Sequence, residues 1–166
     1  ILDHETGTKD VTAMGGLRPL MPITAVIAMV AALSLAGVPP LFGFIGKELM
    51  FESVLDASAW RALVVLLAFS AAILTIAVAA IIALRPFFGQ RRQTPRVAHE
   101  APASMLLGPA VLATLSLLLG LLPALAGTGL LTAAASAVVG APVEVKLSLW
   151  HGINLPLLMS VVSLVL

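Results

Sequence analysis

The stretch Met21-Pro-Ile-Thr-Ala-Val-Ile-Ala-Met-Val-Ala-Ala-Leu-Ser-Leu-Ala-Gly-Val-Pro-Pro-Leu-Phe-Gly-Phe-Ile-Gly-Lys-Glu48 decides the fold. From Met21 to Gly46 it carries no charge, and it lacks the polar face that a half-exposed helix shows every turn. At about 1.5 Å per helical residue it is long enough to cross a hydrocarbon core about 30 Å thick. Its middle is interrupted. Pro39 and Pro40 each remove a backbone donor and clash with the preceding turn, at about 3 kcal/mol or more per interior proline. Gly37 and Gly43 flank them and permit unusual dihedrals or close helix contact. Two readings fit: one discontinuous membrane helix, or a helix ending at Gly37 followed by a loop and a second helix. Freed carbonyls in hydrocarbon persist only against protein or beside water, and discontinuous helices form ion sites in many secondary transporters.

Lys47 follows the break, among Phe42, Phe44, Ile45, Leu49, Met50 and Phe51. A lysine at the centre of a span costs about 2.5–3.5 kcal/mol, and its default reading is functional. Desolvation favours the amine while a carboxylate or water chain favours the ammonium, so such a lysine can exchange a proton. The competing reading is snorkelling to headgroups, since Glu48, Glu52 and Asp56 bring water near. Glu48 projects about 100° away from Lys47 around a helix, so the two need not pair. Glu48 and Glu52 share a face and read as solvated. The candidate proton-pathway residues are Lys47 and Glu48, and the candidate hinge is Gly37, Pro39, Pro40 and Gly43.

The rest of the 166 residues agrees with a membrane setting. Hydrophobic residues make up 60% and charged ones 10%, against about 45–50% and about 25% in soluble domains. A net charge of +1 argues against a nucleic-acid partner. The lack of cysteine removes disulfides, iron–sulfur clusters, thiolate zinc sites and thiol nucleophiles. Three scattered histidines give no metal-ligand spacing, and the motifs of phosphate loops, serine hydrolases and zinc proteases are missing. The expectation is a protein without cofactor or resident metal that is not a soluble enzyme.

Charge-free runs lie between Arg18 and Lys47, Arg61 and Arg85, and Glu100 and Glu144, and again after Lys146. They predict an all-α bundle of transmembrane helices: a cytoplasmic loop over 1–19, a discontinuous span over 20–58, and spans over 59–85 and 104–125. A basic cytoplasmic loop fills 86–103, an external loop with a short interfacial helix fills 126–151, and 152–166 begins a further span. The sidedness follows from Arg85, Arg91, Arg92 and Arg96, since basic residues gather in cytoplasmic loops; anionic lipid headgroups are their natural partners. Trp60 and Trp150 read as interfacial anchors, as does His151. His99-Glu100 reads as a cap or lead-in of a surface helix. Ser34 and Thr24 either line a hydrated path or bond back to their own helix, and Ser70 and Thr75 bond back. A start at Ile1 without methionine and a stop at Leu166 inside an apolar run read as a piece of a longer polytopic protein.

The run Leu33-Ser-Leu-Ala-Gly-Val-Pro-Pro-Leu-Phe-Gly-Phe-Ile-Gly-Lys-Glu48 resembles the broken helix of antiporter-like subunits shared by respiratory complex I and the Mrp multisubunit sodium/proton antiporters. Asp3-His-Glu-Thr-Gly-Thr-Lys-Asp10 with Gly15-Gly-Leu17, His99-Glu-Ala-Pro102, and Lys146-Leu-Ser-Leu-Trp-His-Gly-Ile-Asn154 resemble segments of the Mrp A subunits in the same order. The resemblance implies two inverted five-helix repeats in the whole subunit, of which this chain carries the end of the second. It implies that Lys47 is the lysine of the second broken helix, although Gly46 stands where many relatives have serine, which points to closer packing or altered hydration there. It further implies a bacterial cell-membrane complex with other Mrp subunits that exchanges Na+ for H+. The alternative is a proton-pumping subunit of a complex I-type NADH–quinone oxidoreductase or a membrane-bound hydrogenase. A third reading is a purely structural piece.

Overall fold

The computed structural model describes residues 1–57, 59–126, 129, 131–145, 147–150 and 152–165. The reading of His151 and the lysine that opens the last quoted string lie outside the described residues. The elements are helices: α1 Leu2–Thr6, α2 Pro22–Ala36, α3 Phe42–Leu55, α4 Arg61–Phe87, α5 Ala103–Leu121, the short α6 Ala124–Ala126, α7 Thr132–Val139 and α8 Leu155–Val165, with a 3-10 turn at Val11–Ala13. No strand occurs among the described residues. α4 and α5 are long and apolar enough to cross a membrane, and α2 and α8 are shorter apolar helices.

The local sequence explains where α2 starts and stops. Pro22 takes its first position, where a missing N–H costs nothing. Gly37 ends it in the left-handed region, at φ 74°. The Val38 N–H then donates to the Leu33 carbonyl and the Gly37 N–H to the Ser34 carbonyl, each at 3.0 Å, which satisfies carbonyls a broken helix would leave orphaned. α3 begins five residues on, at Phe42. Pro39 and Pro40 occupy the interruption and are joined by a cis peptide bond.

α2 packs along α4. Among the buried residues of α4, Ala72, Ala79 and Ala83 make one small-residue stripe that admits close approach and Pro86 and Phe87 close its end, while Leu66, Leu74 and Ile82 face outward. Ser70, Thr75 and Thr114 bond back to the carbonyls of Leu66, Ala71 and Ala110 at 2.8, 2.8 and 2.9 Å, so their hydroxyls add no unsatisfied polarity.

At the end where α2 begins and α4 finishes, residues 1–18 and the arginine-bearing connection form one layer. The N–H groups of Leu17 and Arg18 donate to the carbonyls of Pro86 and Phe87, that of Arg92 to Gly15, and that of Arg96 to Thr6, at 3.0–3.2 Å. Gly15 lies so close to the Gln90 carbonyl that a side chain there would overlap it. Met14, Leu17, Met21, Ala25, Phe87 and Ala98 form the core beneath. A second core joins Phe44 and Ile45 of α3 to Leu147, with Leu131, Val145 and Leu149 against it. The connection after α6 therefore folds back onto the first turn of α3.

Candidate functional site

The break brings Lys47 against the end of α2. Its Nζ donates to the Ala36 carbonyl at 3.1 Å, across the interruption. Its aliphatic stem lies against Gly37, where a methyl group would collide with it. The carbonyl end of a helix carries a partial negative charge, and a cation there gains about 0.3–2 kcal/mol. That falls short of the about 2.5–3.5 kcal/mol for a lysine at a span centre, so the carbonyl alone does not offset the placement. Beside Lys47 lies a cavity of about 660 Å³ between α2, α3, α4 and α5, whose polar lining comes from Lys47, Ser34, Thr75 and Ser116. A space of that size has room for water beside the Lys47 side chain, with these few polar groups as its available partners.

The hinge residues take distinct parts. Gly43 sits against the Ser34 carbonyl, so α3 starts beside the last turn of α2 and no side chain fits between them. The Gly43 N–H donates to Ser34 Oγ at 3.3 Å, and Ser34 Oγ lies 2.7 Å from Ser116 Oγ. Ser34 thus joins α2, α3 and α5, a role neither sequence reading of it anticipated. The Pro40 carbonyl abuts Gly120 of α5 as tightly. Gly46, by contrast, has open space around its missing side chain. Of the two expectations for it, close packing does not hold, because that face of α3 borders the cavity.

Glu48 corrects a sequence reading. Its expected solvated face is covered by α8, so the residue is 7% exposed and accepts a hydrogen bond from Ser160 Oγ at 3.3 Å. Glu52 stays exposed. Lys47 and Glu48 therefore serve different neighbours, one the end of α2 and the other α8.

Glu100 is the residue whose part was hardest to see. It caps a helix, but not the one that follows it: its carboxylate accepts from the Ile23 N–H at 2.7 Å, the Thr24 N–H at 3.3 Å and the Thr24 hydroxyl at 2.5 Å. Burial raises its pKa, and the bonds from Thr24, Ile23 and Ala101 outweigh that, holding the carboxyl below its ordinary value of 4.5. Thr24 in turn is spent on this cap, not on a water path.

These features define an integral membrane protein, helical throughout its described elements, in which two apolar helices are separated by a proline break and the Lys47 side chain bonds across it. Residues 1–75 match the family model described as NADH:quinone oxidoreductase/Mrp antiporter, TM. It is 34% identical to the A subunit of the Na(+)/H(+) antiporter of Bacillus subtilis (strain 168), over 96% of this chain and 22% of the relative. It is 35% identical to the A1 subunit of the Na(+)/H(+) antiporter of Staphylococcus aureus (strain N315), over 99% of this chain and 22% of the relative. A solved structure of the Mrp complex from Dietzia sp. DQ12-45-1b contains a chain similar to it, with a TM-score of 0.81 and 36% identity, over 99% of this chain and 18% of that one. The chain thus spans about a fifth of the length of the relatives it matches.

Proposed function

We propose that this chain works as part of an A-type subunit of a multisubunit antiporter that moves Na+ against H+ across the bacterial membrane, in a hetero-oligomer with other Mrp-type subunits. It is a transporter part, and no covalent bond is made or broken. The observation that carries the reading is the Lys47 ammonium, held on the Ala36 carbonyl across the break and bordered by a cavity. An amine so placed can release its proton to cavity water and regain it, while the carbonyl keeps the side chain in register. Glu48, turned toward α8, offers a second buried group for the same path. The membrane potential acts on each charge moved at about 2.3 kcal/mol per 100 mV. The similarity to antiporter A subunits runs far past residue 75, where the family-model match ends, and this favours the antiporter over the respiratory alternative.

The test is Lys47→Ala in the full-length subunit within its assembled complex, with sodium-dependent proton flux measured in everted vesicles. Flux is expected to fall to background while the complex still assembles. Undiminished flux through an assembled variant would remove Lys47 from the path.

A further inference from the structure

A carboxylate and two imidazoles meet at the arginine-bearing end of the bundle, on the opposite end of α2 from Lys47. Glu5 of α1 is buried, with a side chain only 2% exposed, and both its oxygens are engaged. His4 Nδ1 is hydrogen-bonded to Oε1 at 2.9 Å, and His99 Nδ1 lies 3.1 Å from Oε2 and also 3.1 Å from the Glu100 backbone carbonyl, its hydrogen-bond partner. The imidazoles are open to solvent, at 63% and 72% exposure, so protons reach them while the carboxylate between them is shut off. His4 and Glu5 belong to α1 and His99 to the connection, so the cluster fastens one segment to the other. Arg96 backs it, donating its backbone N–H to the Thr6 carbonyl at 3.0 Å and its guanidinium to the His4 carbonyl at 3.2 Å. Among the described residues the other charges near it are Asp3, which faces Lys9 at 3.9 Å, and Glu100, which is turned toward α2.

We propose that His4, Glu5 and His99 form a proton-operated clamp that sets how firmly the connection, and through Glu100 the start of α2, is held. Imidazole is the side chain whose charge changes between about pH 5 and 8. When both are protonated, two cations flank one desolvated carboxylate, and charge-assisted hydrogen bonds are about twice as strong as neutral ones. When both are neutral, His4 keeps at most one uncharged N–H bond to Glu5, and His99 keeps its bond to the Glu100 carbonyl but loses its charge attraction to Glu5. The clamp therefore loosens as pH rises. Glu100 follows His99 directly, so a loosened connection frees the carboxylate that seats the N-terminus of α2. That helix ends on the Ala36 carbonyl gripped by Lys47, so the clamp restrains one end of the element whose other end forms the transport site. The consequence for transport rests on the function proposed above; the clamp itself is local electrostatics.

The experiment uses the full-length protein in its assembled complex. Amide hydrogen exchange in residues 92–101 and in α1 is followed from about pH 5.5 to about pH 8.5 and corrected for intrinsic exchange. Protection is expected to fall with rising pH in the parent. In the His4→Gln/His99→Gln double variant it is expected to stay at the low, alkaline level throughout. Cation-dependent proton flux of that variant should keep its maximum within about twofold while the acid limb of its pH profile moves by about half a unit or more. Parent-like, pH-dependent protection in the double variant overturns the clamp. Both imidazoles are exposed, so replacing them leaves the buried layer intact. A Lys47→Ala complex should retain the parent exchange pattern; a parent with that pattern but no cation-dependent flux would overturn the transport reading alone.

Discussion

Gly43 and Gly46 lie three residues apart on α3 and meet opposite surroundings. A methyl group on Gly43 would overlap the Ser34 carbonyl, whereas one on Gly46 would meet nothing within van der Waals reach. Gly43→Ala forces α2 and α3 apart, strains the Gly43–Ser34 hydrogen bond and shifts Lys47 relative to Ala36. Overpacking of this kind costs about 1–3 kcal/mol or more. Gly46→Ala adds helix propensity worth up to about 1 kcal/mol and removes no contact. The expected result is a lower thermal midpoint of the complex for Gly43→Ala and an unchanged or higher one for Gly46→Ala; equal midpoints would contradict the tight approach of the two helices. The sequence makes both positions visible as glycines beside a double proline. It does not say which faces a carbonyl and which faces open space, because that depends on where α2 ends and what α5 brings to it. Ser34 shows the same limit: its hydroxyl partner, Ser116, lies 82 residues away.

α2 has no charged side chain of its own, yet both its ends meet charge. Glu100 sits on its N-terminal amides and Lys47 on its C-terminal carbonyl, the arrangement that its macrodipole favours. Glu100→Ala leaves the amides of Ile23 and Thr24 and the Thr24 hydroxyl without this acceptor. Loss of a cap costs about 0.5–2 kcal/mol, whereas Glu100→Gln keeps one acceptor oxygen and costs less. Because the folded carboxyl titrates below its ordinary value of 4.5, the stability it adds is present above that value and is lost as pH falls through the lower folded value. A melting-temperature series from about pH 6 downward should show the parent and Glu100→Ala converging at the acid end. A gap that holds at every pH would mean the cap does not act through its charge. At this scale much was legible. Charge-free runs mark the helices, and Gly37-Val-Pro-Pro40 marks the interruption, because length and backbone donors are local properties. The partners of Glu100 and Glu48 were not, since each is chosen by packing between distant segments: 77 residues separate Glu100 from Ile23, and 112 separate Glu48 from Ser160.

Across the whole molecule, basic residues gather at one end. Hydrogen bonds tie Gly16, Leu17 and Arg18 to the end of α4, and Gly15 and Thr6 to the following connection. Lys9 and Arg18 therefore join Arg85, Arg91, Arg92 and Arg96 in a single layer. Arg18 lies over the Phe88 ring, 5.6 Å from its centroid, which holds one of these charges at the boundary of the apolar helices. At the other end, among the described residues, Arg61 opens α4 close to Glu52 and Asp56 in sequence. Such an imbalance in short loops orients a polytopic protein with its basic end in the cytoplasm. The chain has no cysteine, so single cysteines introduced into it report position without background from this segment. Ala59 and Gln93 are both exposed and lie at opposite ends of α4. In intact cells, a membrane-impermeant maleimide is expected to label Ala59→Cys and to leave Gln93→Cys untouched until the membrane is opened. In everted vesicles the order should reverse. Labelling of Gln93→Cys from outside would turn the molecule over, placing the His4–Glu5–His99 cluster and the start of α2 on the external face, where protons would reach the clamp from the wrong compartment.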